Sequence, residues 1–387
     1  MTRTTTLLIS IITIICISAV IFFIRLVPSD KSSDIAVTLP IKLTSESNEI
    51  EPVSAYKANN KEIAKEINEV SLPSIREDEN YILACQTSVD YEEIYKNNIT
   101  KEKLDYYYDY LEKSNTPEHQ LAAILFTSDT QQDSKLKLLH DYLEAYPNNK
   151  LALIDLIGLC SNNVEHSVCS NVLFNRASQV DGNNGALWLQ IANFHAASGN
   201  KQATLNAINK VNKASNFNDY YYQHLALFMR ASKGTLDISD NLRAIASLGY
   251  HGAIAIHISD ITKFCTSTDN LANNRKHTCL VLGKTLEESG TNRVLNTIGL
   301  AIQEAIYQTE GNDELSTKSK ARKAAFHDPI ESVLFNKAGE LMIRDPKLFQ
   351  YWLSNAVNYG EVKAANMLIE EAISLSKNRH YNPCSIE

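Results

Sequence analysis

Seven cysteines are the residues of this 387-residue chain with the clearest chemistry. Cys16 lies in an apolar N-terminal run, and Ile15 fills the position that a lipid-attachment site needs to be small. Cys85, Cys160, Cys169, Cys265, Cys279 and Cys384 form an even set beyond that run, which suits an oxidising compartment. Cys160 with Cys169, and Cys265 with Cys279, are local staples; a bridge closing about 10–15 residues is worth roughly 3 kcal/mol in the chain-entropy model. Cys85 and Cys384 then pair by elimination or stay free, and six cysteines permit many other connectivities. The competing reading is a reduced, buried set in a cytosolic domain.

Other reactive residue types are scattered. Gly283-Lys284-Thr285 ends like a phosphate loop, but Thr278 stands where that loop needs its first glycine and no strand precedes it. Lys284 reads as a solvated helix residue, and no nucleotide is expected. Neither a G-x-S-x-G elbow nor an H-E-x-x-H zinc helix occurs. His251 and His257 fall on different faces of a helix. Cys265, His277 and Cys279 lack the paired, closely spaced ligands of a zinc site, and a disulfide accounts for the cysteines more simply. Adjacent acids such as Glu92-Glu93, Glu287-Glu288 and Glu370-Glu371 diverge on a helix and read as solvated faces. No cofactor, metal or catalytic residue is expected. Asn98-Ile99-Thr100 is a glycosylation sequon, meaningful only in a eukaryotic secretory route.

Tyrosine offers the best candidate binding surface. Tyr106-Tyr107-Tyr108 with Tyr110, and Tyr220-Tyr221-Tyr222, are clusters whose members project about 100° apart on a helix, so at least one of each reaches the surface. Tyr106, Tyr107, Tyr110, Tyr220, Tyr221 and Tyr222 are the candidate partner contacts, because tyrosine combines contact area with a hydroxyl at low entropic cost. Inter-helix packing is the competing reading.

These residues hang on a simple frame. Leu7 to Ile24 is free of charge and long enough for one transmembrane helix, so residues 1–26 are expected to be an uncleaved anchor rather than a signal peptide. Arg3 on one side and Arg25 and Lys31 on the other leave its direction open. The formal charge of −8 becomes −10 without Arg3 and Arg25, and no Lys/Arg-rich run interrupts the acidic remainder, so nucleic acid is excluded as a partner. Residues 27–75 form a linker with Pro28, Pro40 and Pro52 and a short amphipathic stretch over Lys57–Val70. Residues 76–376 form the helical domain and 377–387 a tail.

Within the domain one helix follows another. Thr116-Pro117, Asp328-Pro329 and Asp345-Pro346 are cap-plus-proline starts, and Glu331 makes a capping box with Asp328. Glu118–Ser128 and Asp133–Tyr146 carry apolar residues at three- and four-residue spacing, and Gly360 divides two further helices. Ala253–Ile258 alternates like a strand, but its continuation through Ile261 and Phe264 assigns it to a helix. Pro147-Asn148-Asn149 recurs 35 residues later as Gly182-Asn183-Asn184, each ending one helix and opening another, which is the period of a helix-pair array.

Gly185–Ala214 resembles a tetratricopeptide repeat. Trp188, Ile191 and Ala192 stand where that family has its Trp, Leu and Gly, and Gly199-Asn200 stands at its inter-helix turn. His195 replaces the preferred Tyr, Ala203 comes one residue early, and the second helix reads as longer than usual. Lys150 to Val180 and Leu348–Ala372 are fainter matches. The resemblance implies an all-α solenoid of antiparallel helix pairs, with Trp188, Ile191, Ala192 and Gly199 as packing positions and a concave face for a protein or peptide. The expected protein is a membrane-anchored, extracytoplasmic interaction scaffold or assembly factor. A helical envelope hydrolase with distant acid and base, or a purely structural tether, are the alternatives.

Overall fold

The computed structural model describes residues 81–85, 91–126, 132–252, 257–267, 273–325 and 329–384, all within one compact unit, Glu79–Glu387. The apolar run of residues 7–24, the linker over 27–75 and Asp328 lie outside them. No helix among the described residues is long and apolar enough to cross a membrane.

The regular elements described are all helices: α1 Tyr91–Asn98, α2 Lys101–Lys113, α3 Pro117–Phe126, α4 Gln132–Ala145, α5 Lys150–Cys160, α6 Asn171–Asp181, α7 Gly185–Ala197, α8 Lys201–Val211, α9 Tyr221–Ala231, α10 Asp240–Gly252, α11 Ser259–Thr266, α12 Asn273–Ser289, α13 Arg293–Thr309, α14 Asp313–Ala325, α15 Pro329–Arg344, α16 Pro346–Tyr359 and α17 Glu361–Ser376. The starts follow from local chemistry. The side chains of Thr100, Asn149, Asn184, Asn200, Asn292 and Asp345 each accept a backbone N–H of the first turn that has no partner within its helix. The two Asn-Asn turns noted above thus cap α5 and α7 in the same way.

The packing is neighbour to neighbour, consistent with a helical repeat. Consecutive helices pack as α4/α5, α5/α6, α7/α8, α12/α13 and α13/α14, and α5 touches α7, α7 touches α11, and α11 touches α13. Trp188 donates its indole N–H to the Gly182 carbonyl at 2.8 Å, beneath the Lys210 ammonium at 3.8 Å from the ring centre. Ile191 and Ala192 are buried, and Gly199 turns at φ +72°, a left-handed conformation that favours glycine. Gly283 and Gly299 serve a close crossing of α12 and α13; a Cβ on Gly299 would lie 2.5 Å from the Gly283 carbonyl oxygen. That packing role accounts for Gly283 in Gly-Lys-Thr.

Helices α9 and α10 leave this row. α9 touches α3 and α16, while α10 touches α15 and α16. α9 has two apolar faces. Leu227, Phe228 and Ala231 enter one core with α2–α8 and α11–α13, and Tyr222, Leu225 and Met229 enter a second with α15–α17. Phe228 sits 5.4 Å from the Phe126 ring and 4.9 Å from Tyr250, and Tyr222 is edge-on to Trp352 at 5.6 Å. Such pairs add about 0.5–1.5 kcal/mol to simple burial.

Two expectations are corrected. His257 and Ile258 are not helical; α11 starts at Ser259, because the Asn193 side chain accepts from the backbone N–H of Asp260 and Ile261 and fixes the start from another helix. Residues 253–256 lie outside the description. Helix α8 has 11 residues, fewer than the 13 of α7, since residues 212–220 form an ordered linker instead of a helical extension. The described part of the C-terminal stretch has contacts of its own. Tyr381 donates to Asp345 at 3.0 Å, and Cys384 lies at disulfide distance from Cys85, with Cα atoms 5.3 Å apart.

Gly299→Ala should cost about 1–3 kcal/mol in urea unfolding through overpacking at the α12/α13 crossing. Gly339→Ala, where a Cβ meets nothing within 4 Å, should be neutral or stabilising by up to about 1 kcal/mol. Equal effects at the two sites would show that the close crossing is not the constraint.

Candidate functional site

The linker after α8 is the origin of the most connected polar region. Asn184 holds it: its side-chain oxygen accepts from the Asn218 N–H at 2.9 Å, and its amide donates to the Asn218 carbonyl and to the Asp181 carboxylate, both at 2.7 Å. Tyr220 donates to the same Asp181 carboxylate at 3.0 Å, and Lys150 pairs with it at 3.0 Å. Tyr220 adopts φ +58°, the left-handed region a bulky residue rarely enters. Its hydroxyl bond and the bond from its N–H to Asn218 Oδ1 hold it there, and the chain turns abruptly into α9.

One turn into α9, His224 meets α5. Its Nε2 lies 2.7 Å from Asp155 Oδ2 and its Nδ1 2.9 Å from the Tyr220 carbonyl oxygen. Both partners offer acceptor oxygens, an arrangement that suits the charged ring with hydrogen on both nitrogens. Burial opposes that charge, but Asp155 and the Tyr220 carbonyl outweigh it and the pKa is raised. The Lys135 ammonium, whose pKa burial lowers, donates to the Leu125 carbonyl at 3.1 Å near Asp155. His257, lowered by burial, rests over Gly158, where a Cβ would come 3.1 Å from its ring.

A second acidic joint lies at the start of α9. Asp219 accepts from Tyr221 N–H at 3.0 Å and from the Asn292 amide at 2.5 Å, and Glu361 accepts from Arg293 N–H at 2.7 Å. Burial raises the pKa of both carboxyls. The turns before α9, α13 and α17 therefore meet through two desolvated acids.

The tyrosine candidates separate cleanly. Tyr106 and Tyr110 are 64% and 41% exposed on α2, with the Tyr110 ring 5.5 Å from that of His119. Tyr107 at 0% and Tyr222 at 5% are corrected to core residues, and Tyr220 and Tyr221 are half-buried, engaged with Asp181 and Tyr222. The structure does not bring the two clusters into one surface. Cys160–Cys169 and Cys265–Cys279 are at disulfide distance, with Cα atoms 5.5 Å apart in each. Asp155, His224, Lys135, Asp219 and Glu361 were missed by sequence reasoning. A signal existed for two of them: Asp155 is the sole acid in LALIDLIGLC, and His224 interrupts the apolar YYQHLALFM.

Comparisons with protein-family models, with curated proteins and with solved structures find no match to this chain.

With both nitrogens engaged and the ring buried, His224 acts as a strut between α9 and α5. Its folded pKa lies above the unfolded value, so its contribution is full below about pH 6.5 and fades as pH rises through the folded value. Asp155→Asn should cost about 3–5 kcal/mol at pH 6, by leaving a buried cation unpaired, and less at pH 9, where the ring can be neutral. Urea midpoints across that range, with the ring C–H shifts of His224 followed by NMR, check both halves.

Proposed function

We propose that this chain is a membrane-anchored, extracytoplasmic protein whose tetratricopeptide-like α-solenoid acts as an interaction scaffold or assembly factor. The observation that carries the reading is the neighbour-to-neighbour stacking of helix pairs through equivalent asparagine-capped turns, since such arrays present surface rather than a reaction centre. The apolar stretch Leu7 to Ile24 supports the anchor, and three cysteine pairs at disulfide distance support an oxidising location.

Where the partner binds is narrowed by burial. Leu151–Cys160 of α5 and Gly185–Ala197 of α7 carry no exposed residue, so these stretches offer little free surface to a partner. Tyr106 and Tyr110 on α2 are the better contact surface. They lie four residues apart on one helix face, and each offers a ring and a hydroxyl to a protein or peptide.

A photocrosslinking residue at position 106 or 110, in the full chain at native expression, should capture a discrete protein adduct that positions 107 and 222 do not. The double variant Tyr106→Ala/Tyr110→Ala should lose the partner with stability changed by no more than about 0.5 kcal/mol. Absence of any protein adduct from 106 and 110 would count against the scaffold reading. For the anchor, removal of residues 1–26 should shift the protein from the membrane fraction to the soluble one; retention in the membrane would overturn it.

A further inference from the structure

The three cysteine pairs are not equivalent. Cys160, Cys265 and Cys279 have no exposed surface and Cys169 only 8%, whereas Cys85 and Cys384 are both half-buried. The two buried pairs span 9 and 14 residues, and the outer pair spans 299. The outer pair also joins short non-helical segments. Residues 81–85 contribute Ile82 to the second core and the Leu83 N–H to Ser376 Oγ at 2.9 Å, while residues 377–384 are held by the Tyr381–Asp345 bond. If the covalent link opens, these segments are held by the packing of Ile82, Leu83 and Tyr381 on the second core and by those two hydrogen bonds.

We propose that Cys85–Cys384 is a redox clasp, opened selectively by a dithiol reductant while the two buried disulfides stay closed. A thiolate of the reductant attacks one of the two sulfurs, forming a mixed disulfide and releasing the other cysteine as a thiolate that takes a proton. The second thiol of the reductant then displaces the first cysteine, leaving Cys85 and Cys384 as thiols and the reductant as its own disulfide. Access decides the order, because in-line attack needs an exposed sulfur. Opening frees residues 81–85 and 377–384 from the α15–α17 layer and leaves the helices in place. The clasp thereby governs how the chain entering the domain is joined to its last layer.

The test uses the full chain, titrated with dithiothreitol, alkylated, and analysed by mass spectrometry for each pair. Cys85 and Cys384 should be modified at least tenfold earlier in reductant concentration than the other four. Simultaneous modification of the three pairs, or earlier modification of a buried pair, overturns the proposal. Hydrogen exchange of the selectively reduced protein should then rise at Leu83 and over residues 377–384, with α5, α7 and α13 unchanged. The same pattern in Cys85→Ser/Cys384→Ser would confirm that the link itself holds these segments. Unchanged exchange at Leu83 after selective reduction shows that opening releases nothing, and the clasp is rejected.

Discussion

Helix α9 has to satisfy two cores at once, and the arrangement of the whole domain depends on that demand. Its eleven residues place Leu227, Phe228 and Ala231 against one set of helices and Tyr222, Leu225 and Met229 against another. A helix apolar on two faces cannot lie on a surface, so it must be enclosed. Enclosure also desolvates whatever polar groups it carries. His224 is one of those groups, and Asp155 on α5 gives it a counter-charge at 2.7 Å. The pair fixes the rotation of α9, since turning the helix would strand a cation in apolar surroundings.

The polar chemistry of the interior serves the same end. Asn184, Asn218, Asp219 and Asn292 spend their hydrogen bonds on helix starts and on the linker that delivers α9. Short turns are where a helical array leaves most of its unpaired backbone N–H groups, and asparagine satisfies them while donating outward to the next turn. Polar links therefore pass from the α6–α7 turn through the linker to the turns before α13 and α17. The array resembles a helical repeat in its neighbour contacts, but the α9/α10 pair ties its early helices to its last ones, and the Cys85–Cys384 pair joins the ends of the described chain. An open superhelix would hold those ends apart.

That closure bears on function. A partner surface is expected where side chains are exposed yet rigidly mounted, and the interior row of α5 and α7 is filled. Tyr106 and Tyr110 meet the condition, because Tyr107 and Leu111, about 100° further around α2, are fully buried and hold the helix still. The membrane anchor and the extracytoplasmic location are readings of the sequence and of the cysteine pairs, and they complete the proposed scaffold.

Local information was enough for much of this. Capping residues, proline starts and three- to four-residue apolar spacing gave the helices near Pro117, Gln132, Pro329 and Pro346, and the Asn-Asn recurrence gave the pairing of α5/α6 with α7/α8. Those signals are legible because each acts within a turn or two of the chain. The fate of the tyrosines was not: Tyr106 and Tyr107 are neighbours in sequence, yet one is exposed and the other enclosed by Phe228 and Tyr108. The start of α11 was set by Asn193, 66 residues before Ser259, and the charge on His224 by Asp155, 69 residues away. Sequence alone therefore determined an all-α chain of capped helix pairs with cysteines suited to pairing. Only the tertiary structure decided which faces are enclosed and which titratable groups meet, because burial and charge pairing arise from contacts between segments far apart in the chain.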